Sequence, residues 1–199
     1  MARAGRSGYG RRVTRLVLPN VRYQGTYLAA SDEFAASGEQ RDGDGDLAQP
    51  AEPGYDGYEF TGEGLADPGE FARFVAQRVR ASDEDAPRRS GWTACHFLWI
   101  VDDEDEYVGS LALRHELTDY LLREGGHIGY SVRPSARRRG HAREALRLAL
   151  PIARDQVGLD RVLVTCLESN VASRRAIEAN GGVYEDTRNA TRRYWVATG

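Results

Sequence analysis

Arg137, Arg138, Arg139, Gly140, His141, Ala142 and Arg143 form a positively charged turn that opens directly into an amphipathic helical pattern. A strand-like alternation ending at Val132 and a bend at Pro134 lead into it. The chemistry on offer at such a junction is anion binding. The first backbone N–H groups of a helix lack intrahelical acceptors, and the helix start carries about half a unit of positive charge, so a phosphate there satisfies both. Gly140 lets the backbone approach a ligand closely, and the arginines add charge. The turn has no Gly-Lys-Ser/Thr ending and no three-glycine dinucleotide pattern, which excludes the two commonest nucleotide loops. Every Lys or Arg position in the chain is arginine. That compositional bias leaves a solvated charged turn as the competing reading of the consecutive arginines.

The elements that must hold this turn can be read from periodicity. Arg15 to Asn20 reads as a short strand stopped by Pro19, and Tyr23 through Phe34 as a first helix. Pro68 opens a second helix to about Ala81, carried by Phe71, Phe74, Val75 and Val79. Trp92 to Val101 and Tyr107 to Leu113 form an antiparallel hairpin, and Leu117 to Gly125 connects it to the strand before the turn. After the turn, Ala142, Ala145, Leu146, Ala149 and Ala153 share one helical face, and Gly158 stops the helix. Pro151 predicts a kink or opening near Arg147. Arg161 to Leu167 is continuously apolar, which predicts a buried strand parallel to the one before the turn. A helix over Val171 to Glu178 is capped by Asn170, and strands Val183 to Glu185 and Thr191 to Val196 finish the chain.

With that order of elements, Arg137-x-x-Gly140-x-Ala142 resembles the acyl-CoA loop of the GNAT superfamily of N-acetyltransferases, whose pattern is Gln/Arg-x-x-Gly-x-Gly/Ala. Asn170-x-x-Ser173, on a helix that ends at Gly181-Gly182, resembles the family's second signature. Leu113 to Leu117 and Gly126 to Tyr130 resemble a branch of acetyltransferases with unassigned substrates. The resemblance implies an α+β (α/β/α) fold with a mixed central sheet of about six to seven strands, flanked by helices and containing a splayed parallel pair. It implies acetyl-CoA as acyl donor, with its diphosphate held between Arg137 and Arg143 and its pantetheine arm beside Ser131, Val132, Asn170 and Ser173. Helix capping alone also explains Asn170.

Acetylation of an ammonium group requires loss of a proton. Where the family often carries Glu-Ile-Gly-Tyr, this chain has His127 in the Glu position. An imidazole titrating near pH 6.5 suits a base, while packing or a hydrogen bond at the strand's start explains the same residue without catalysis. His115, Glu116 and Glu168 are further candidates near the expected cleft. Many family members place a Tyr seven residues after the signature Asn, where Ile177 stands here. Tyr130, Tyr184 or Tyr194 could replace it as acid, or the CoA thiolate leaves without one.

The whole chain of 199 residues, 41% hydrophobic, supports one folded domain over 15–199. Residues 1–14 read as a disordered basic tail, and a stretch at about 38–64 as a long acidic loop. Cys95 and Cys166 lie far apart in apolar runs, and no metal-ligating spacing accompanies them. A net charge of −3 argues against nucleic acid as partner, and no apolar run approaches the length of a membrane span, so a cytoplasmic protein is expected. The function expected is acetyl transfer from acetyl-CoA to a primary amine of a small molecule or peptide, by direct attack in a ternary complex. The alternative is a catalytically inactive acyl-CoA-binding regulatory protein. By analogy with the superfamily, the terminal strands could support a homodimer.

Overall fold

In the computed structural model the alternating runs pair into one seven-stranded mixed sheet, and helices cover both of its faces. The structure describes residues 13–39, 41–43, 60–88 and 90–199. The strands are β1 (Arg15–Val17), β2 (Cys95–Val101), β3 (Tyr107–Arg114), β4 (Ile128–Val132), β5 (Arg161–Leu167), β6 (Val183–Arg188) and β7 (Thr191–Ala197). Their order is β1-β2-β3-β4-β5-β7-β6. The helices are α1 (Gln24–Ser37), α2 (Pro68–Arg80), α3 (His141–Ile152) and α4 (Val171–Glu178).

Local chemistry explains the helix ends. Asp67 accepts hydrogen bonds from the Gly69 and Glu70 amides at 2.8 and 3.0 Å and Pro68 follows it, so α2 starts there. Gly38, with φ at +65°, closes α1 in the left-handed conformation. The two faces of the sheet differ in character. Under α1 and α2 lies an aromatic cluster in which the Tyr27 ring meets Phe71, Phe74, Trp99 and Tyr107 at centroid distances of 5.4, 5.5, 5.1 and 5.0 Å. Under α3 the core is aliphatic, with Ala145, Leu146 and Ala149 packed on Ile100, Leu111 and Ile128.

One feature of the topology creates a cleft. β4 and β5 are parallel and share a single ladder pair, Ile128 with Val164, just after the His127 amide donates to the Leu163 carbonyl at 2.7 Å. Beyond that point each strand is committed to its outer neighbour: β4 pairs with β3 up to Val132, and β5 pairs with β7 along its full length. The two strands therefore splay towards their carboxyl ends, which is where the ligand crevice of a parallel pair forms.

Several expectations shift. β2 begins at Cys95 rather than Trp92, because Gly91 adopts φ +82° and Trp92 lies exposed outside the pairing. The opening expected near Arg147 is not found: α3 runs unbroken through it to Ile152, and a π-type turn over Ala153–Val157 follows the helix. Pro151 and Arg147 both lie on the exposed side of α3, so water can serve the carbonyl that proline cannot, and the helix continues. Thr14, expected in the tail, is buried at 9% exposure, while residues 1–12 lie outside the described residues. Of the acidic loop, residues 40 and 44–59, with Tyr55 and Tyr58, also lie outside them. Phe60 is buried against Phe74. Among the described residues no helix is long and apolar enough to cross a membrane.

Candidate active site

The β4–α3 junction is built by a run of unusual backbone. Pro134–Ala136 form a 3-10 turn, Arg138 and Gly140 adopt φ values of +59° and +89°, and α3 begins at His141. Among the described residues no side chain caps α3, and a Cβ added at Gly140 would meet nothing within 4 Å. An uncapped helix start with open space before it has the donor set that suits a diphosphate. The loop is braced from α1. Glu33 accepts from Arg133 at 2.6 and 3.0 Å and from the Ser135 amide and hydroxyl at 3.0 and 2.9 Å. These contacts, the Arg133 guanidinium first, hold its carboxyl down at about 2. Arg137 donates to the Val132 carbonyl at 3.0 Å and to Glu39 at 2.8 Å.

A groove of about 990 Å³ runs from this helix start to the splayed edge of β4. Arg137, Arg138, Gly140, His141, Ala142 and Arg143 line one end, and Ser131, Val132, Asn170 and Ser173 line the other. Asn170 caps α4 by accepting from the Ser173 amide at 3.0 Å. The Ser173 hydroxyl lies 2.9 Å from the Tyr130 hydroxyl. Burial pushes the Tyr130 phenol up to about 12, so it stays protonated. The Ser131 hydroxyl is buried without a hydrogen-bond partner among the described residues.

The sequence profile of the GNAT acetyltransferase domain matches residues 50–183. The chain belongs to the GNAT acetyltransferase family. It is therefore an acetyltransferase by family, and acetyl-CoA is the acyl donor that the family uses. No curated protein matches the chain. Solved structures share the fold. A ribosomal-protein-S5-alanine acetyltransferase from Vibrio fischeri aligns with TM-score 0.62 and 13% identity over 96% of this chain and 95% of that one. The microcin C7 self-immunity acetyltransferase MccE, solved with acetyl-CoA and AMP, aligns with TM-score 0.56 and 13% identity over 92% of each chain. A GNAT-family acetyltransferase from Bacillus anthracis gives TM-score 0.54 and 18% identity over 95% and 96% of the two chains.

For this GNAT acetyltransferase, the residues expected to act as bases do not gather at the groove. His127 is 5% exposed, and its Nδ1 lies 2.9 Å from the Leu163 amide. An amide N–H only donates, so Nδ1 must be the acceptor and the neutral ring carries its proton on Nε2. Such a ring has no lone pair left for a substrate proton. Burial, with the Arg114 charge, pushes its pKa down to about 4. The base role expected of His127 does not fit this geometry, whereas a hydrogen bond at the strand's start does.

His115 lies past the end of β3 furthest from α3's start, with Nδ1 2.5 Å from Glu84 and Nε2 2.9 Å from His96. Glu116 and Glu168 are exposed, and neither lines the groove. Arg139 is exposed and does not line it either. His141 contributes backbone, since its imidazole is buried and its Nδ1 lies 2.9 Å from the Thr14 hydroxyl. Of the tyrosines that could replace Ile177, Tyr130 lines the groove and Tyr184 and Tyr194 do not.

Sequence reasoning missed Glu33, Glu39 and Asp42. Glu39 and Asp42 line the groove, and Glu33 braces the loop beside it. They lie in or just after α1, about a hundred residues before the loop, and local sequence carries no signal for such a pairing. Their concentration in an acidic stretch was the one visible hint.

Proposed function

We propose that the protein transfers the acetyl group of acetyl-CoA to a primary amine of a small molecule or peptide, by direct attack in a ternary complex. The observation that supports this most is the uncapped start of α3 at one end of a groove whose other end is the splayed edge of β4. Bound acetyl-CoA supplies an acetyl thioester. The amides from Arg137 to Arg143 hold its diphosphate, and Ser131, Val132, Asn170 and Ser173 flank its arm. Confining the two reactants in one groove accounts for much of the acceleration, since oriented pairs behave as if at about 10⁵ to 10⁸ M. A backbone amide of β4 can donate to the developing oxyanion.

Tyr130 with Ser173 takes the place left by Ile177, which is buried in the core. A phenol at about 12 is a weaker acid than a thiol, whose ordinary pKa is about 8.5. Tyr130 therefore works as a hydrogen-bond donor to the departing sulfur rather than by full proton transfer.

The neighbours' names include a protein-alanine acetyltransferase and spermidine N-acetyltransferase chimeras, so amine acceptors on both peptides and small molecules occur on this fold. Release of free CoA from acetyl-CoA in the presence of an amine panel tests the proposal. Amine-dependent release is expected. Binding of acetyl-CoA with no release on any amine would favour the inactive regulatory protein instead.

A further inference from the structure

Among the described residues two carboxylates line the groove, Glu39 and Asp42. Glu39 is engaged by Arg137 at the diphosphate end. Asp42 is held elsewhere, and the residues on both sides fix where. Arg41 enters the aromatic cluster, donating to the Tyr107 hydroxyl at 2.6 Å and the Ser31 hydroxyl at 2.7 Å, with its guanidinium 4.2 Å from the Tyr27 ring centre. Gly43 lies directly on the sheet. Its φ is +91°, and a Cβ there would stand 2.8 Å from the Ser110 carbonyl oxygen and 2.9 Å from that of Gly129. The Ser110 hydroxyl also donates to the Asp42 carbonyl at 3.4 Å. With a buried arginine on one side and a glycine that admits no side chain on the other, the turn has one position to occupy.

That position shares the groove with the hydroxyl pair. Tyr130 packs with the α3-side core and reaches Ser173 on α4, whereas the Arg41 anchor lies in the cluster under α1 and α2. The Asp42 charge is still close enough to oppose ionisation of the Tyr130 phenol. A reacting carbonyl carbon beside β4 would thus have hydroxyl donors on its α4 side and a carboxylate on its α1 side. The α1 side of the groove is lined by Phe34, Glu39 and Asp42, and the other side by the helix start and α4.

We infer that Asp42 is an acceptor-binding residue and that the acceptor is a cationic amine, its ammonium received by this carboxylate before it is deprotonated. This rests on the acetyl-transfer reading above. A carboxylate at that point also disfavours amines that carry an anionic group beside the nitrogen, since like charges would meet in the groove. Hydrogen bonds to charged groups are strong enough that losing one changes affinity by about tenfold or more.

The test uses the full chain with saturating acetyl-CoA and follows CoA release with diaminobutane, ethylamine and aspartate as acceptors. The wild type is expected to prefer diaminobutane and to use aspartate least. Asp42→Asn is expected to raise KM for diaminobutane by about tenfold or more, with acetyl-CoA affinity by calorimetry unchanged. Gly43→Ala, which pushes the same turn off the sheet, is expected to raise that KM too. An unchanged KM in Asp42→Asn, a preference for aspartate, or turnover of none of the three with acetyl-CoA bound would each overturn the inference while leaving cosubstrate binding intact. Failure of the wild type to bind acetyl-CoA would instead remove the acetyl-transfer reading itself.

Discussion

His127 stands where a catalytic base was expected and is occupied by architecture instead. Its ring accepts the Leu163 amide and its own amide donates to the Leu163 carbonyl, so one residue pins the root of the splayed pair twice. Truncating it to alanine leaves a buried N–H without a partner, at a cost of about 1 to 3 kcal/mol. His127→Ala is therefore expected to lower stability in urea denaturation while leaving the pH profile of CoA release unchanged. The folded pKa of about 4 lies below the ordinary 6.5, so the unfolded chain binds the proton more readily. Stability from this residue is complete above pH 6.5 and declines as pH falls towards about 4, a slope that the alanine variant should lose. Asparagine, whose side-chain oxygen can accept the amide, is expected to recover part of the lost stability.

At the scale of elements, the groove depends on a tether between α1 and the β4–α3 loop. Glu33 reaches across a hundred positions of sequence to Arg133 and Ser135. Glu33→Gln keeps the shape but removes the charge. After discounting for partial exposure, the loss at neutral pH is expected to be about 1 to 2 kcal/mol, with weaker acetyl-CoA binding because the loop loses its brace. The carboxyl is depressed from 4.5 to about 2, so its contribution is present above pH 4.5 and fades as pH falls towards 2. The stability gap between wild type and variant should narrow across that window in urea melts at stepped pH. Pro151 carries a lesson at the same scale. The distortion expected near Arg147 does not occur, because the exposed face of α3 lets water serve the carbonyl that Pro151 leaves unpaired, and the π-type turn lies beyond the proline.

For the whole molecule, two cores of different chemistry hold one sheet, aromatic beneath α1 and α2 and aliphatic beneath α3. The groove is walled by pieces of both layers, from Phe34 and Asp42 on one side to Ala176 and Ala179 on the other. A ligand spanning them should stabilise the fold as a unit. At about a hundredfold excess over Kd, acetyl-CoA is expected to add about 2.7 kcal/mol, or about 5 to 10 °C in Tm at this chain length. A thermal scan with and without it measures this, and a shift near zero would count against the groove as the cosubstrate site.

What the sequence determined by itself was everything carried by nearest neighbours. The strand at Arg161–Leu167 and the helix at Val171–Glu178 have the boundaries expected, because continuous apolarity and an asparagine cap are local signals. The glycine-bearing turn was legible for the same reason. What only the tertiary structure decided was which distant groups meet. It set Leu163 against the His127 ring, Tyr130 against Ser173, and the carboxylates of α1 and the turn after it beside the loop that follows β4. Those encounters depend on strand register and on the side of the sheet each helix covers, which are fixed by packing of the whole chain rather than by any local run of residues.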